Sequence, residues 1–195
     1  MKRVSFLIIG LLTINSIFGQ VDFFVQLADS ALTLTKQKVQ YDPSYVKIVY
    51  PNGDVPANRG VCSDVIIRAY RKMGIDLQKE VHADLKANFD KYPSRKKWGL
   101  SHPDTNIDHR RVPNLMVFFA RHGTVKKISQ EASDYLPGDI VCWDLGRGLT
   151  HIGIVTNQKS TDKKRYMIIH NIGGGQVLED CLFRFTIIGH YSYKK

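Results

Sequence analysis

Residues 136–157, LPGDIVCWDLGRGLTHIGIVTN, decide the fold class. A Pro-Gly-Asp turn leads into a β-branched and aromatic run, and a glycine-rich turn separates this run from a second one. The pattern predicts strands over 139–145 and 151–157. Two later segments have the same composition and extend the predicted antiparallel sheet, namely 165–172 and 182–193.

The chain ahead of this sheet has a helical periodicity instead. Apolar residues recur at spacings of three and four, and proline and glycine mark several of the ends. Helices followed by strands predict an α+β domain, in which N-terminal helices pack on a C-terminal antiparallel sheet. The predicted helices cover 22–37, Cys62 to Gly74, 78–92 and 113–123, and a short strand covers Tyr45 to Tyr50.

The N-terminus predicts export. The basic start MKR is followed by the mostly apolar run 4–19, which is short for a transmembrane span and typical of a secretory signal peptide. Cleavage after Gly19 leaves a single domain over 20–195. We therefore expect a periplasmic or secreted protein of the bacterial cell envelope, with no stable membrane insertion after cleavage. The sequence leaves its oligomeric state open.

Charge and motifs narrow the possible ligands. The formal net charge is +10, but the basic residues are scattered in small groups without an RNA-binding signature, so we expect no nucleic-acid partner. No nucleotide, flavin or haem motif is present, so we expect no cofactor. A metal site from His102, Asp104 and His109 is conceivable, but their spacing matches no standard ligand pattern and we expect none.

Cys62, Cys142 and Cys181 are the three cysteines of the chain, an odd number for an oxidising compartment. At least one thiol is therefore unpaired or pairs between chains. A disulfide between Cys142 and Cys181 would leave Cys62 free, and the sequence leaves that pairing open.

Cys62 begins the second predicted helix, within 60–76, GVCSDVIIRAYRKMGID. It lies on the apolar stripe of that helix, which suits a buried thiol. It also lies in the first turn, where free backbone N–H groups and the helix dipole favour a thiolate nucleophile and an oxyanion. Taken alone, the helix favours the buried thiol.

A histidine downstream shifts the balance toward a nucleophile. His151 opens a strand and is followed two residues later by glycine, a pattern that suits an imidazole presented to a cleft. The next strand ends in His170 and Asn171, either of which could lie behind His151 and fix its tautomer. Adjacent strand residues face opposite ways, so we expect only one of them to do so.

The loop 101–112 is dense in charge. Arg110 or Arg111 could pair with a substrate carboxylate in bidentate fashion, with His109 beside them in the wall of a cleft. A salt-bridged structural loop explains the same residues equally well.

Three motifs together resemble a known family. The run GVCSDVIIRAYRKMGI, then LPGDIVCW with THIGIV, then MIIHN is similar in order and distance to the NlpC-type cell-wall peptidases, which are papain-like cysteine hydrolases. This likeness covers roughly residues 55 to 175. More narrowly, stretches such as YDPSYV, NIDHRRVPNL and HNIGGG resemble an uncharacterised bacterial family within that superfamily.

The resemblance implies a role for each matching position. Cys62 becomes the nucleophile, His151 the general base and His170 the residue that orients His151. The backbone N–H of Cys62 or Ser63 becomes a candidate oxyanion donor. Asp64 stands where the commoner pattern has glycine, at a position that shapes the end of the cleft holding the substrate's free amine.

The function implied is that of an exported cysteine amidohydrolase. Its Cys-His-His triad would cleave an amide bond in peptidoglycan stem peptides, so peptidoglycan or a related peptide is the expected partner. An acyltransferase or a lipid-acyl hydrolase could use the same triad. A non-catalytic domain that binds the cell envelope is the alternative from a different functional class.

Overall fold

A computed structural model describes residues 23–195 and has the α+β architecture that the sequence predicts. The predicted signal segment, 1–19, lies outside the described residues. The helices are α1 (23–34), α2 (Cys62–Lys72), α3 (Leu77–Ala87), α4 (Ser94–Trp98) and α5 (Val112–His122). The strands are β1 (Gln40–Tyr41), β2 (Arg59–Gly60), β3 (Thr124–Val125), β4 (Ile140–Gly146), β5 (Leu149–Lys159), β6 (Tyr166–His170), β7 (Val177–Glu179) and β8 (Thr186–Ser192).

The C-terminal strands form a six-stranded antiparallel sheet in the order β3-β8-β4-β5-β6-β7. Strands β4 and β5 pair so that Trp143 lies opposite His151. Strands β6 and β7 pair so that His170 lies opposite Val177. A separate two-stranded parallel ladder joins β1 to β2, where Tyr41 lies opposite Gly60, directly ahead of α2.

The two faces of the large sheet carry different cores. The helices pack on one face around side chains such as Ile66, Leu115 and Ile152. The other face is covered by the turns before β4 and before β8, around Tyr135 and Trp143. Burial of these apolar side chains is the main term that stabilises the fold, at about 25 cal/mol per Å² removed from water.

The turn before β4 shows why the sequence contains Pro-Gly-Asp. Gly138 has φ of +85°, a conformation that side chains disfavour, and a Cβ there would lie 2.5 Å from the carbonyl oxygen of Phe24 in α1. Its N–H donates to Val155 of β5 at 2.8 Å. This glycine therefore lets both α1 and β5 approach the turn closely.

The predicted strand from Tyr45 to Tyr50 is wrong, because this segment pairs with side chains and not with a strand. The N–H of Ile48 donates to the Asn106 Oδ1 atom at 2.9 Å. The hydroxyl of Tyr45 donates to Asp104 at 3.0 Å. The loop before α5 therefore takes the place of a neighbouring strand.

Further elements differ from the sequence prediction. Strand β8 begins at Thr186, since residues 182–184 form a turn, and the predicted helix 78–92 ends at Ala87. The short elements β1, β2, β3, β7 and α4 have no counterpart in the prediction. Within the described part of the chain all three cysteines are free and buried. Cys142 and Cys181 belong to the cores on opposite faces of the sheet, so they are not bonded to each other. No helix within residues 23–195 has the length and apolarity needed to cross a bilayer.

Candidate active site

Cys62 is the first residue of α2 and is 7% exposed. Helix α2 packs against β5, and the backbone N–H groups of Ile152, Ser63 and Cys62 itself lie near the sulfur. Burial raises the pKa of the Cys62 thiol to about 12, although these N–H groups oppose the rise. The resting side chain is therefore a thiol, held beside the residue that follows His151.

His151, His170 and Glu179 form a continuous line of hydrogen bonds across strands β5, β6 and β7, and among the described residues no hydrogen bond joins Cys62 to His151. The Nε2 atom of His151 lies 2.8 Å from Nδ1 of His170. The Nε2 atom of His170 lies 2.8 Å from Oε2 of Glu179. Both histidines are buried, whereas the Glu179 side chain is 32% exposed and its other oxygen pairs with Arg184 at 2.6 Å.

The charges along this line follow from burial. Burial, followed by the neighbouring His170, lowers the pKa of His151 to about 3, against the opposing effect of Glu179. Burial also lowers the pKa of His170, against the opposing effect of Glu179. Burial opposes ionisation of Glu179, but hydrogen bonds from Arg184 and His170 outweigh it and lower the pKa of that carboxyl. The line therefore consists of two neutral imidazoles followed by a carboxylate.

These charge states fix both tautomers. A carboxylate only accepts hydrogen bonds, so His170 carries its proton on Nε2 and accepts on Nδ1. His151 must then donate to it through Nε2. The lone pair of His151 consequently lies on Nδ1, which is the form in which an imidazole can take a proton from a thiol.

The sheet around His151 holds its ring in place. The Trp143 ring lies 5.7 Å from it on the neighbouring strand, and the indole N–H donates to the Leu182 carbonyl at 2.9 Å. A Cβ on Gly153 would lie 2.6 Å from the Ile168 side chain. The glycine two residues after the histidine therefore allows β6 to approach β5 closely, so that the two imidazole rings meet.

Asn171 does not contact His151 and instead braces the start of α2. Its Nδ2 atom donates to the carbonyl of Gly60 at 3.2 Å, and its Oδ1 atom accepts the N–H of Gly173 at 3.2 Å. Of the two residues considered for orienting His151, the structure places His170 against it.

Arg110 does not face a cleft. Its Nε and Nη2 atoms donate to the two oxygens of Asp64 at 2.9 and 3.0 Å, and the two side chains are 2% and 3% exposed. Asp64 also accepts the N–H of Val61 at 2.6 Å and so caps α2. The expectation that Arg110 pairs with a substrate carboxylate is therefore wrong, since its charge is already sealed against Asp64.

The other predicted site residues near Arg110 also make contacts within the fold. The hydroxyl of Ser63 donates to the Arg110 carbonyl at 2.7 Å, which leaves only its backbone N–H for an oxyanion. His109 is 2% exposed, and burial followed by the charges of Arg110 and Arg71 lowers its pKa to about 3. Arg111 lies with its guanidinium 4.2 Å from the centre of the Trp98 ring.

A cleft of about 1000 Å³ is lined by residues 35–41, Asn58 and residues 173–177, and neither Cys62 nor His151 is among its lining residues. Tyr41 lines it, and the pKa of Tyr41 is raised by burial and then by the negative charge that Cys62 and Asp64 can carry. The rest of the lining is mostly polar or basic and includes Lys36, Lys38 and the backbone of 173–175. The cleft therefore suits a polar ligand with negative charge.

Sequence reasoning missed Glu179, Tyr41 and Trp143 as parts of the site. Glu179 is brought to His170 by the pairing of β7 with β6, and Tyr41 is brought to Cys62 by the β1–β2 ladder. The three-residue β7 is too short to show a strand pattern. Trp143 could have been found, because strand pairing across the glycine-rich turn places it opposite His151.

Comparisons with known proteins give a family and a relative for this chain. The family model described as "Domain of unknown function (DUF1287)" matches residues 28–193. A protein of Escherichia coli strain K12, described as uncharacterized protein YijF, is 49% identical over 174 residues, which cover 89% of this chain and 83% of that protein. No solved structure matches the chain significantly.

Proposed function

We propose an enzymatic function for this chain, which belongs to the DUF1287 family: it is a cysteine amidohydrolase of the NlpC-type, papain-like class. The observation that carries the proposal is the line His151–His170–Glu179, which starts on the strand whose Ile152 N–H reaches the Cys62 thiol at the N-terminus of α2. A nucleophile, a base with its lone pair uncommitted, and an orienting group are the parts that acyl transfer needs.

The reaction begins from a neutral pair. The Cys62 thiol gives its proton to Nδ1 of His151 as the sulfur attacks the carbonyl carbon of an amide. The imidazolium formed is stabilised through His170 by the carboxylate of Glu179. Backbone N–H groups of Cys62 and Ser63, in the first turn of α2, stabilise the oxyanion.

The second half of the reaction releases the products. The tetrahedral intermediate collapses, the C–N bond breaks, and His151 gives its proton to the leaving amine. Water then attacks the thioester with His151 as base, so that the acid leaves and the thiol of Cys62 is restored. No redox step or added reactant beyond water is needed.

The substrate proposed is a peptidoglycan stem peptide. The cleft lined by Tyr41 also contains Lys36 and Lys38, which suits the carboxylates of such peptides. Export through the predicted N-terminal signal would bring the enzyme to the cell wall.

The test is digestion of purified peptidoglycan by the chain without its predicted signal. The muropeptides are compared by liquid chromatography and mass spectrometry for the wild type, Cys62→Ala and Cys142→Ala. Cys142 is a matched control because it is also a free, buried cysteine of the helix-facing core. We expect new amine and carboxyl ends with the wild type and Cys142→Ala only. Identical profiles for the wild type and Cys62→Ala would overturn the proposal.

A further inference from the structure

Cys181 lies at the far end of the histidine line and has no part in the reaction above. It is 4% exposed, and its Sγ atom lies 3.6 Å from the Nε2 atom of His170. The donor atoms of His170, Glu179 and Cys181 all lie within 4.8 Å of one another. Imidazole, carboxylate and thiolate are the ligand types that zinc takes in proteins.

The distances suit a tetrahedral ion. Zinc bonds of about 2.0 Å to nitrogen and 2.3 Å to sulfur hold those two atoms about 3.5 Å apart, close to the separation found here. The Glu179 oxygen, at 2.8 Å from His170, would have to move outward by about 0.5 Å to match a zinc–oxygen bond. Its side chain is one of the more exposed parts of the site, at 32%, and can do so.

The surroundings leave room for a fourth ligand. Glu179 borders solvent, so water can reach the open position and the ion can enter from that side. Arg184 pairs with Oε1 of Glu179 and leaves Oε2 for the ion. The other nearby carboxylate, Asp180, is occupied by Arg165 at 2.6 Å.

We infer that His170, Glu179 and Cys181 form an inhibitory site for a zinc-like divalent cation. Such an ion would release the proton of the Cys181 thiol to solvent and take the place of the proton on His170 Nε2. His170 stays a neutral imidazole with one ring proton, which would then lie on Nδ1, facing His151. His151 would have to accept there and carry its own proton on Nδ1, the atom that must receive the proton of Cys62.

The inhibitory effect rests on the proposed function, whereas ion binding does not. Binding is therefore measured first, by titrating the reduced, metal-free protein with Co²⁺ and recording thiolate-to-cobalt charge-transfer absorption. We expect one equivalent to bind, with the band retained in Cys62→Ala and Cys142→Ala and lost in Cys181→Ala. Glu179→Gln tests a second ligand and should weaken binding at least tenfold.

A wild-type protein without the band, or a band that survives Cys181→Ala and disappears in Cys62→Ala, would overturn the site. Inhibition is measured next, as loss of peptidoglycan hydrolysis with added Zn²⁺. Half-inhibition should occur at the concentration that half-displaces Co²⁺, and Cys181→Ala should need at least tenfold more Zn²⁺. Full hydrolysis by the zinc-loaded wild type would overturn the inhibitory role, and an inactive protein that still shows the band would separate the site from the proposed function.

Discussion

Two buried polar clusters, one at the start of α2 and one on the sheet, differ in how far they are closed off from solvent. The Asp64–Arg110 pair joins two sealed side chains through two hydrogen bonds and ties the loop before α5 to the start of α2, and the remaining guanidinium nitrogen, Nη1, is buried without a partner. The line from His151 to Glu179 is also buried at its inner end, but it ends near solvent and leaves Nδ1 of His151 outside its hydrogen bonds. On the proposed mechanism, equal burial serves position in one cluster and proton transfer in the other.

Replacing His151 should have the largest effect on activity. The change His151→Ala removes the base, and we expect kcat to fall about 10⁴-fold, as for loss of a triad member. The matched control is His122→Ala, an exposed histidine on α5, which should retain wild-type kcat. The measurement is the initial rate of stem-peptide hydrolysis, and a rate for His151→Ala within tenfold of the wild type would contradict this division of roles.

Replacing Arg110 should affect stability most. The change Arg110→Ala leaves the Asp64 carboxylate buried and unpaired, and we expect the free energy of unfolding to fall by about 3–5 kcal/mol. Arg111→Ala removes a ring contact with Trp98 and one long ion pair with Asp108, at 3.5 Å, and should cost less, about 1–2 kcal/mol. Urea unfolding measures both, and equal losses for the two variants would show that the Asp64–Arg110 pair does not anchor α2.

Acid should weaken the fold through buried neutral histidines. The pKa of His109 is about 3 when folded and about 6.5 when unfolded, so only the unfolded chain gains a proton between these values and stability falls as pH falls. One such group contributes about 2 kcal/mol between pH 6.5 and pH 5. Asp108, with a pKa that burial raises to about 6, titrates in the opposite sense over part of this range.

The contribution of His109 is therefore measured as a difference between proteins. The loss of unfolding free energy from pH 7 to pH 5 is compared for the wild type and His109→Gln, and we expect a loss smaller by about 2 kcal/mol in the variant. An unchanged pH dependence would mean that His109 is already charged or exposed in the folded protein.

Replacing Glu179 should produce the smallest of these effects. The change Glu179→Gln removes the charge that stabilises the imidazolium from one residue away, and we expect kcat to fall about tenfold. Asp180→Asn, at the neighbouring exposed ion pair with Arg165, is the control and should keep the wild-type rate. If both variants hydrolyse stem peptide equally fast, Glu179 does not contribute to catalysis and His170 is the last functional residue of the line.

The sequence predicts the order of the elements because their signals are local. Periodicity marks the helices and β5, and the His-x-Gly pattern singles out His151 through the close approach of β6 that glycine allows. Such local signals do not reveal the partners of Glu179 and Arg110. The pairing of β7 with β6 sets the partner of Glu179, and a contact between a loop and α2 sets the partner of Arg110. The mistaken strand at Tyr45 has the same origin, because its composition suits a strand but its partners are side chains of a distant loop.

The most direct measurement of the central claim is the mass of a covalent intermediate on Cys62. The wild-type protein is mixed with stem peptide, quenched in acid within the first turnover and digested for mass spectrometry. We predict that the peptide containing Cys62 carries the acyl part of the substrate as a thioester, and that Cys142 and Cys181 carry none. Hydrolysis that proceeds with no adduct on Cys62, and at the same rate in Cys62→Ala, would contradict a cysteine mechanism for this protein.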